Sequence, residues 1–383
     1  MTDSITQKTA SDGPRAVRAG EMEALRRLTD IVFRPLMPEQ YPQLFNLDNC
    51  ENLRVCFDGD RCVSHVGMVQ RHASILGCPI KVCCIGAVAT DPEYRGLGLA
   101  SACFHDAVDK AHADGVDVML VSGGRGLYTT NGCQHAGLHY RVNIDSGSEG
   151  DLHHGITVEE ATTQDMELIR ECYRTEPVRF TRPLADYRFF DQSGWAMNSP
   201  AKFLAIKSAA GREFLGYVVI RNPRPDTAAS LAEFGGDRDA VQAALVHCIQ
   251  HYKLKAINFQ VQDTDAAMLA RCRESGWEMK PCAASGTIKI INMQQLMNKL
   301  TPLFSERAEP DVVAALECSI SGNDCVFRLG ADSVTINRDD TVRLIFGDHE
   351  VGHSVLDGNS GPTASLLRQL LPVPALWYGI NYV

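Results

Sequence analysis

The sequence contains no run of 18 apolar residues, and its start, Met1-Thr-Asp-Ser-Ile-Thr-Gln-Lys-Thr, lacks the apolar core of a secretory leader. Both absences predict a protein that stays in the cytoplasm. No C-x-x-C pair occurs among the 14 cysteines, which are spread along the chain with Cys83 and Cys84 adjacent. The scattered thiols read as reduced, buried small hydrophobes. A basic stripe is missing as well. With 37 Lys and Arg against 47 Asp and Glu, the net charge of −10 argues against nucleic acid and anionic membranes and suits a cationic acceptor.

What remains is an ordinary globular composition, 45% hydrophobic and 22% charged, and 383 residues are enough for two or three domains with their own cores. The most informative segment is Arg95-Gly96-Leu97-Gly98-Leu99-Ala100. It follows the apolar run Cys83 to Ala89 and opens a helical pattern in which Ala100, Phe104, Ala107, Val108 and Ala111 recur until Gly115. A strand is predicted next, Val116 to Val121.

Strand, glycine turn and helix N-terminus in succession can hold a pyrophosphate, because free N–H groups and the positive helix end face an anion that no Cβ obstructs. The same turn can also serve packing alone. Two known phosphate loops are excluded: no third glycine follows for the Rossmann pattern, and no G-K-[ST] for the P-loop.

The segment resembles the acyl-CoA signature of the GNAT N-acetyltransferases, [QR]-x-x-G-x-[GA], met by Arg95, Gly98 and Ala100. Val88 to Tyr94 is similar to that family's fourth strand and its exit. Further on, Leu127-Tyr128-Thr129-Thr130-Asn131-Gly132-Cys133 keeps the Tyr and Gly of a second family element and replaces both of its aromatics. This resemblance covers about residues 14 to 142.

Asp145 to Asp151 has linker character. Beyond it the order of elements repeats: Ile156 to Thr162 and Asp165 to Tyr173 as strand and helix, Phe214 to Ile220 as strand, then Ala232-Glu-Phe leading into Gly235-Gly236-Asp237. A helix from Arg238 to Tyr252, a strand from Ala256 to Val261, and a helix near Ala266 to Arg273 complete the copy. Its chemistry is lost, since Asp237 puts a carboxylate where the pyrophosphate would sit. Residues 285 to 383 change character: Thr287 to Ile291 and Met293 to Leu300 suggest strand and helix, Cys325 to Leu329, Ser333 to Ile336 and Thr341 to Phe346 read as short strands, and a helix lies near Ala364 to Leu371.

The expected architecture is therefore α/β (α+β): a catalytic GNAT domain at 1–145, a degenerate GNAT-like domain at 151–284, and a small α+β domain at 285–383 resembling sterol carrier proteins. That arrangement resembles the enhanced-intracellular-survival (Eis) type of acetyltransferase. The resemblance implies acetyl-CoA as co-substrate, no metal, an amine acceptor, and a homo-oligomer, hexamers being the family tendency.

It also implies site residues. Arg95, Gly96, Leu97, Gly98, Leu99, Ala100 and Ser101 would hold the pyrophosphate, and Val88, Ala89 and Thr90 would line the pantetheine arm. The Val88 N–H would face the developing oxyanion. Tyr128 would protonate the leaving thiolate, a phenol near pKa 10 being suited to that, or would only pack. Lys81 to Ala89 contains no carboxylate to act as base. In Eis-type proteins the terminal carboxylate reaches the active site, and here it belongs to Val383.

The tail Pro372-Val-Pro-Ala-Leu-Trp-Tyr-Gly-Ile-Asn-Tyr-Val383 is apolar and aromatic to its last residue, unlike a frayed terminus. Docking for packing or oligomer contacts alone is the competing reading. His247 with His251 and His135 with His139 have i, i+4 spacing without a third ligand, and read as solvated or capped. The acceptor expected is a polyamine, an aminoglycoside-like amine or a lysine side chain. The alternative is a non-catalytic protein that senses acyl-CoA and binds a lipid or partner.

Overall fold

The computed structural model describes residues 12–147 and 155–383. The polar N-terminal segment and most of the predicted linker lie outside the described residues. The chain folds into three sheets with helices between and around them.

The first sheet contains β1 (Asp12–Ala16), β2 (Leu53–Asp58), β3 (Arg61–Ile75), β4 (Cys78–Thr90) and β5 (Val118–Val121). All pairs are antiparallel except β4 with β5, which run parallel. The helix Leu99–Ala113 crosses between them and buries Cys103, Phe104, Ala107 and Ala111 on the sheet. It stops before Gly115, whose φ of +71° ends the turn as expected. Helix Met22–Val32 covers the opposite face through Leu25 and Leu28.

The next strand, β6 (His139–Asp145), leaves this sheet. It pairs instead with strands of the second sheet, whose members are β7 (Ile156–Glu160), β10 (Ser199–Ser208), β11 (Phe214–Arg221), β12 (Ala228–Gly236), β13 (Ala256–Gln262) and β14 (Glu278–Cys282). In exchange, β15 (Thr287–Ile290) returns to the first sheet and pairs antiparallel with β5. A further strand, β8 (Val178–Thr181), pairs with the far end of β3, and β9 (Trp195–Ala196) pairs with the start of β10. Each sheet thus contains strands from the sequence of the other.

The last sheet is an antiparallel meander of β16 (Leu316–Ser321), β17 (Asp324–Leu329) and β18 (Asp332–Asn337). Helices Met293–Arg307 and Pro362–Leu370 pack on it. Thr341 to Phe346, expected as a strand, belongs to helix Arg338–Phe346. Asn337 caps that helix by accepting from the Asp340 N–H at 2.9 Å, and Asp339 and Asp340 sit in its first turn, where the dipole favours acid. A short apolar run does not distinguish the two states; the cap does. No described helix is long and apolar enough to cross a membrane.

Candidate active site

β4 and β5 stay paired only from Val82–Val118 to Ile85–Val121, then part. The divergence is built into β4 by a bulge: the register with β3 shifts between His65–Ala89 and Gly67–Gly86, and Ala87 lies at φ +49°. His65 Nδ1–H donates to the Ala87 carbonyl at 2.9 Å and pins the bulge from the buried side. Burial pushes the His65 pKa down to about 4, so the ring is neutral at pH 7.

Two cavities open along the parted edge. One, of about 680 Å³, is lined by Val88, Thr90, Arg95, Gly96, Gly98, Leu99, Ala100, Ser101 and Tyr128, among others. Gly96 and Gly98 have φ of +81° and +77°, and a Cβ built on either meets nothing within 4 Å, so the loop faces open space at the N-terminus of Leu99–Ala113. That suits a pyrophosphate. Asp91 caps the short 3-10 turn Pro92–Tyr94 leading there, accepting from the Glu93 N–H at 3.0 Å and pairing with Arg61 at 2.5 Å. Ala89, buried on the other face of β4 as strand alternation dictates, and Leu97, 41% exposed, do not line this cavity.

The other cavity, of about 500 Å³, is lined by Gly86, Val88, Ser122, Arg125, Tyr128, Tyr382 and Val383, with Arg34 and Met37 from the segment after helix Met22–Val32. Val32, Val88, Arg125 and Tyr128 line both, so the cavities meet there. Tyr128 sits in the helical turn Gly126–Thr129, its ring 5.7 Å from Phe104 and against Gly123. Burial raises its pKa, which keeps the phenol protonated.

The last residue packs into the bulge. A Cβ built on Gly86 would lie 2.1 Å from the Val383 carbonyl carbon, so Val383 rests on bare backbone there. Val373, Leu376, Tyr378, Ile380 and Val383 are all buried, each such side chain contributing roughly 1.5–3 kcal/mol. A buried ion pair holds the tail from below. Arg182 makes two bonds to Glu233, at 2.7 and 2.6 Å, and donates from Nε to Asn381 Oδ1 at 2.5 Å. Glu233 also accepts from Tyr217 OH at 2.7 Å, and Trp377 Nε1–H donates to the Ala232 carbonyl at 2.8 Å. The Tyr382 hydroxyl accepts from Asn198, which Tyr41 holds in turn.

In the second sheet β12 and β13 likewise pair only from Ala228–Ala256 to Ser230–Asn258, and a cavity of about 310 Å³ opens beyond, lined by Phe234, Phe259, Arg238 and Trp377 among others. Asp237 caps helix Arg238–His251 by accepting from the Asp239 and Ala240 N–H groups, and Arg238 is tied to Glu176 at 2.7 Å and Asp265 at 2.9 Å. Its anion-facing groups are spent on protein.

The histidine pairs do not form ligand sets. His135 and His139 are not on a helix; His139 is a buried strand residue bonded to Gln260, not a solvated one, while His247 and His251 stack at 5.6 Å on Arg238–His251. Among the described residues no cluster of three His, Cys, Asp or Glu could hold a metal ion. Sequence reasoning missed Arg34, Arg125, Gly86 and His65. None belongs to a motif, and only Gly86, a glycine inside an apolar strand, carried a local signal.

The comparisons with known proteins agree with this geometry. Residues 14–136 match the family model described as acetyltransferase (GNAT) domain. No curated protein matches the sequence significantly. Among solved structures, a probable N-acyltransferase from Enterococcus faecalis is 14% identical with a TM-score of 0.66, covering 96% of this chain and 99% of that one. Eis1 from Mycobacterium abscessus is 12% identical with a TM-score of 0.64, over 94% and 98%. A GCN5-related N-acetyltransferase from Anabaena variabilis is 12% identical with a TM-score of 0.66, over 95% and 98%. At these identities the likeness is one of fold, and it extends along nearly the whole chain.

Proposed function

We propose that the GNAT acetyltransferase domain at residues 14–136, completed by the chain's last residues, transfers an acetyl group from acetyl-CoA to a primary amine by direct attack. The observation that carries this reading is the meeting of the two cavities at Val88 and Tyr128, with the Val383 terminus on the acceptor side.

The glycine loop and Arg95 hold the pyrophosphate, and the exposed edge of β4 from Val88 to Thr90 takes the pantetheine arm as an added strand would. The amine nitrogen attacks the thioester carbon, and the Val88 N–H stabilises the oxyanion. The amine's proton goes to the Val383 carboxylate, which is the only carboxylate among the described residues lining the acceptor-side cavity. As the C–S bond breaks, Tyr128 gives its proton to sulfur, so the products are an amide and free CoA thiol. Assembly as a cytoplasmic homo-oligomer and a sterol-carrier-like role for the last domain belong to the same reading.

The test is amine-dependent CoA release by the full-length protein. Tyr128→Phe is expected to lower kcat about 100-fold with little change in acetyl-CoA affinity, and residues appended after Val383 are expected to impair turnover. Acetyl-CoA binding with no release by any amine would favour the sensing protein instead.

A further inference from the structure

The sequence is acidic, but its acceptor-side cavity is not. Among the described residues lining it none is Asp or Glu, and the charged ones are Arg34, Arg125 and the carboxylate of Val383. Neither arginine forms an ion pair with a described residue, whereas the neighbouring Glu39 is held by Arg26 at 3.1 Å. Arg34 is nonetheless fixed in place. Its Nε–H donates to Gln40 Oε1 at 3.0 Å, and the guanidinium lies over the Trp195 ring at 4.6 Å. Its two terminal nitrogens have no partner among the described residues.

A guanidinium braced in this way, with donors unused, is suited to two parallel hydrogen bonds with a carboxylate or phosphate. Among the described residues the only opposite charge lining the cavity is the Val383 carboxylate, which attracts the acceptor's amine. We infer that the acceptor is a small molecule with one primary amine and one anionic group, the amine directed at Val383 and the anion at Arg34. A polyamine would carry its additional ammonium groups against two arginines, and that repulsion selects against it. Arg125 lines the cofactor side as well, so Arg34 is the specificity-determining residue. This inference rests on the acetyltransferase reading above.

The experiment measures CoA release by the full-length enzyme with four amines of similar size: β-alanine, phosphoethanolamine, propylamine and putrescine. One of the two anionic amines is expected to exceed both others in kcat/KM by about tenfold or more, the scale of a charge-assisted bond, and the better of the two identifies the anion. Arg34→Gln should bring the ratio of anionic to neutral amine down by a similar factor, and Arg34→Lys should recover part of it. Acetyl-CoA affinity should be the same in both variants, because Arg34 lines only the acceptor side. Preference for putrescine, or a ratio unmoved by Arg34→Gln, would overturn the inference and leave acetyl transfer standing. Release with none of a broad panel of amines would overturn both.

Discussion

Gly86 has no side chain, and Val383 occupies that space. Gly86→Ala would put a methyl group onto the Val383 carbonyl, and the tail must move by an ångström or more. A displacement of that size at a reacting group costs about 100-fold, so kcat should fall steeply while calorimetric acetyl-CoA binding persists. His65 makes a separate prediction. Its folded pKa of about 4 lies below the unfolded value of about 6.5, so the unfolded chain binds more protons between those limits. Stability from this group is complete above about pH 6.5 and declines by roughly 3 kcal/mol as pH falls to 4. Denaturant melts at pH 7 and pH 5 should show the decline, and His65→Gln should flatten it. The glycine loop and Tyr128 were legible because a motif is a local object. Gly86, His65, Arg34 and Arg125 take their roles from chain hundreds of residues away or across a bulge, and no spacing records that.

Among the elements, the tail and its clamp are the most consequential. Arg182 is fully buried and Glu233 nearly so, and both face the tail. Removing the negative partner leaves a buried guanidinium uncompensated, at a cost of about 3–5 kcal/mol. Glu233→Gln should therefore lower the melting temperature and slow turnover together. Asn381→Ala spares the ion pair and should show the loss of turnover with a much smaller loss of stability, as read by thermal melts beside steady-state rates. The apolar character of the tail was visible in the sequence; the arginine that receives it was not. Element identity was legible where periodicity was long, as in Leu99–Ala113 and Arg238–His251. It failed at Thr341 to Phe346, where five apolar or β-branched positions around Arg343 fit a strand and a capping asparagine made them a helix.

At the scale of the whole molecule, the repeated order of elements in the sequence does correspond to two sheets with parted parallel pairs. The exchange of β6 and β15 between them was hidden, because strand pairing leaves no mark on the strands themselves. A fragment ending at residue 145 would keep β4 beside β5 but lack β15 on its other side, and would carry β6 without its sheet. Such a fragment should be insoluble or aggregated by light scattering, since an unpaired apolar edge recruits other chains, while the full chain stays dispersed. Net charge likewise described the outer surface and not the cavity, whose lining is chosen by the fold.

The crossing of strands also sets a timetable for synthesis. β5 leaves the ribosome long before β15, and at ordinary translation speeds the interval is roughly 10–30 s. During that time the first sheet has an open border and β6 has no home. The nascent chain must either keep both occupied by other contacts or shelter them with a chaperone, and its first half cannot become native ahead of its second.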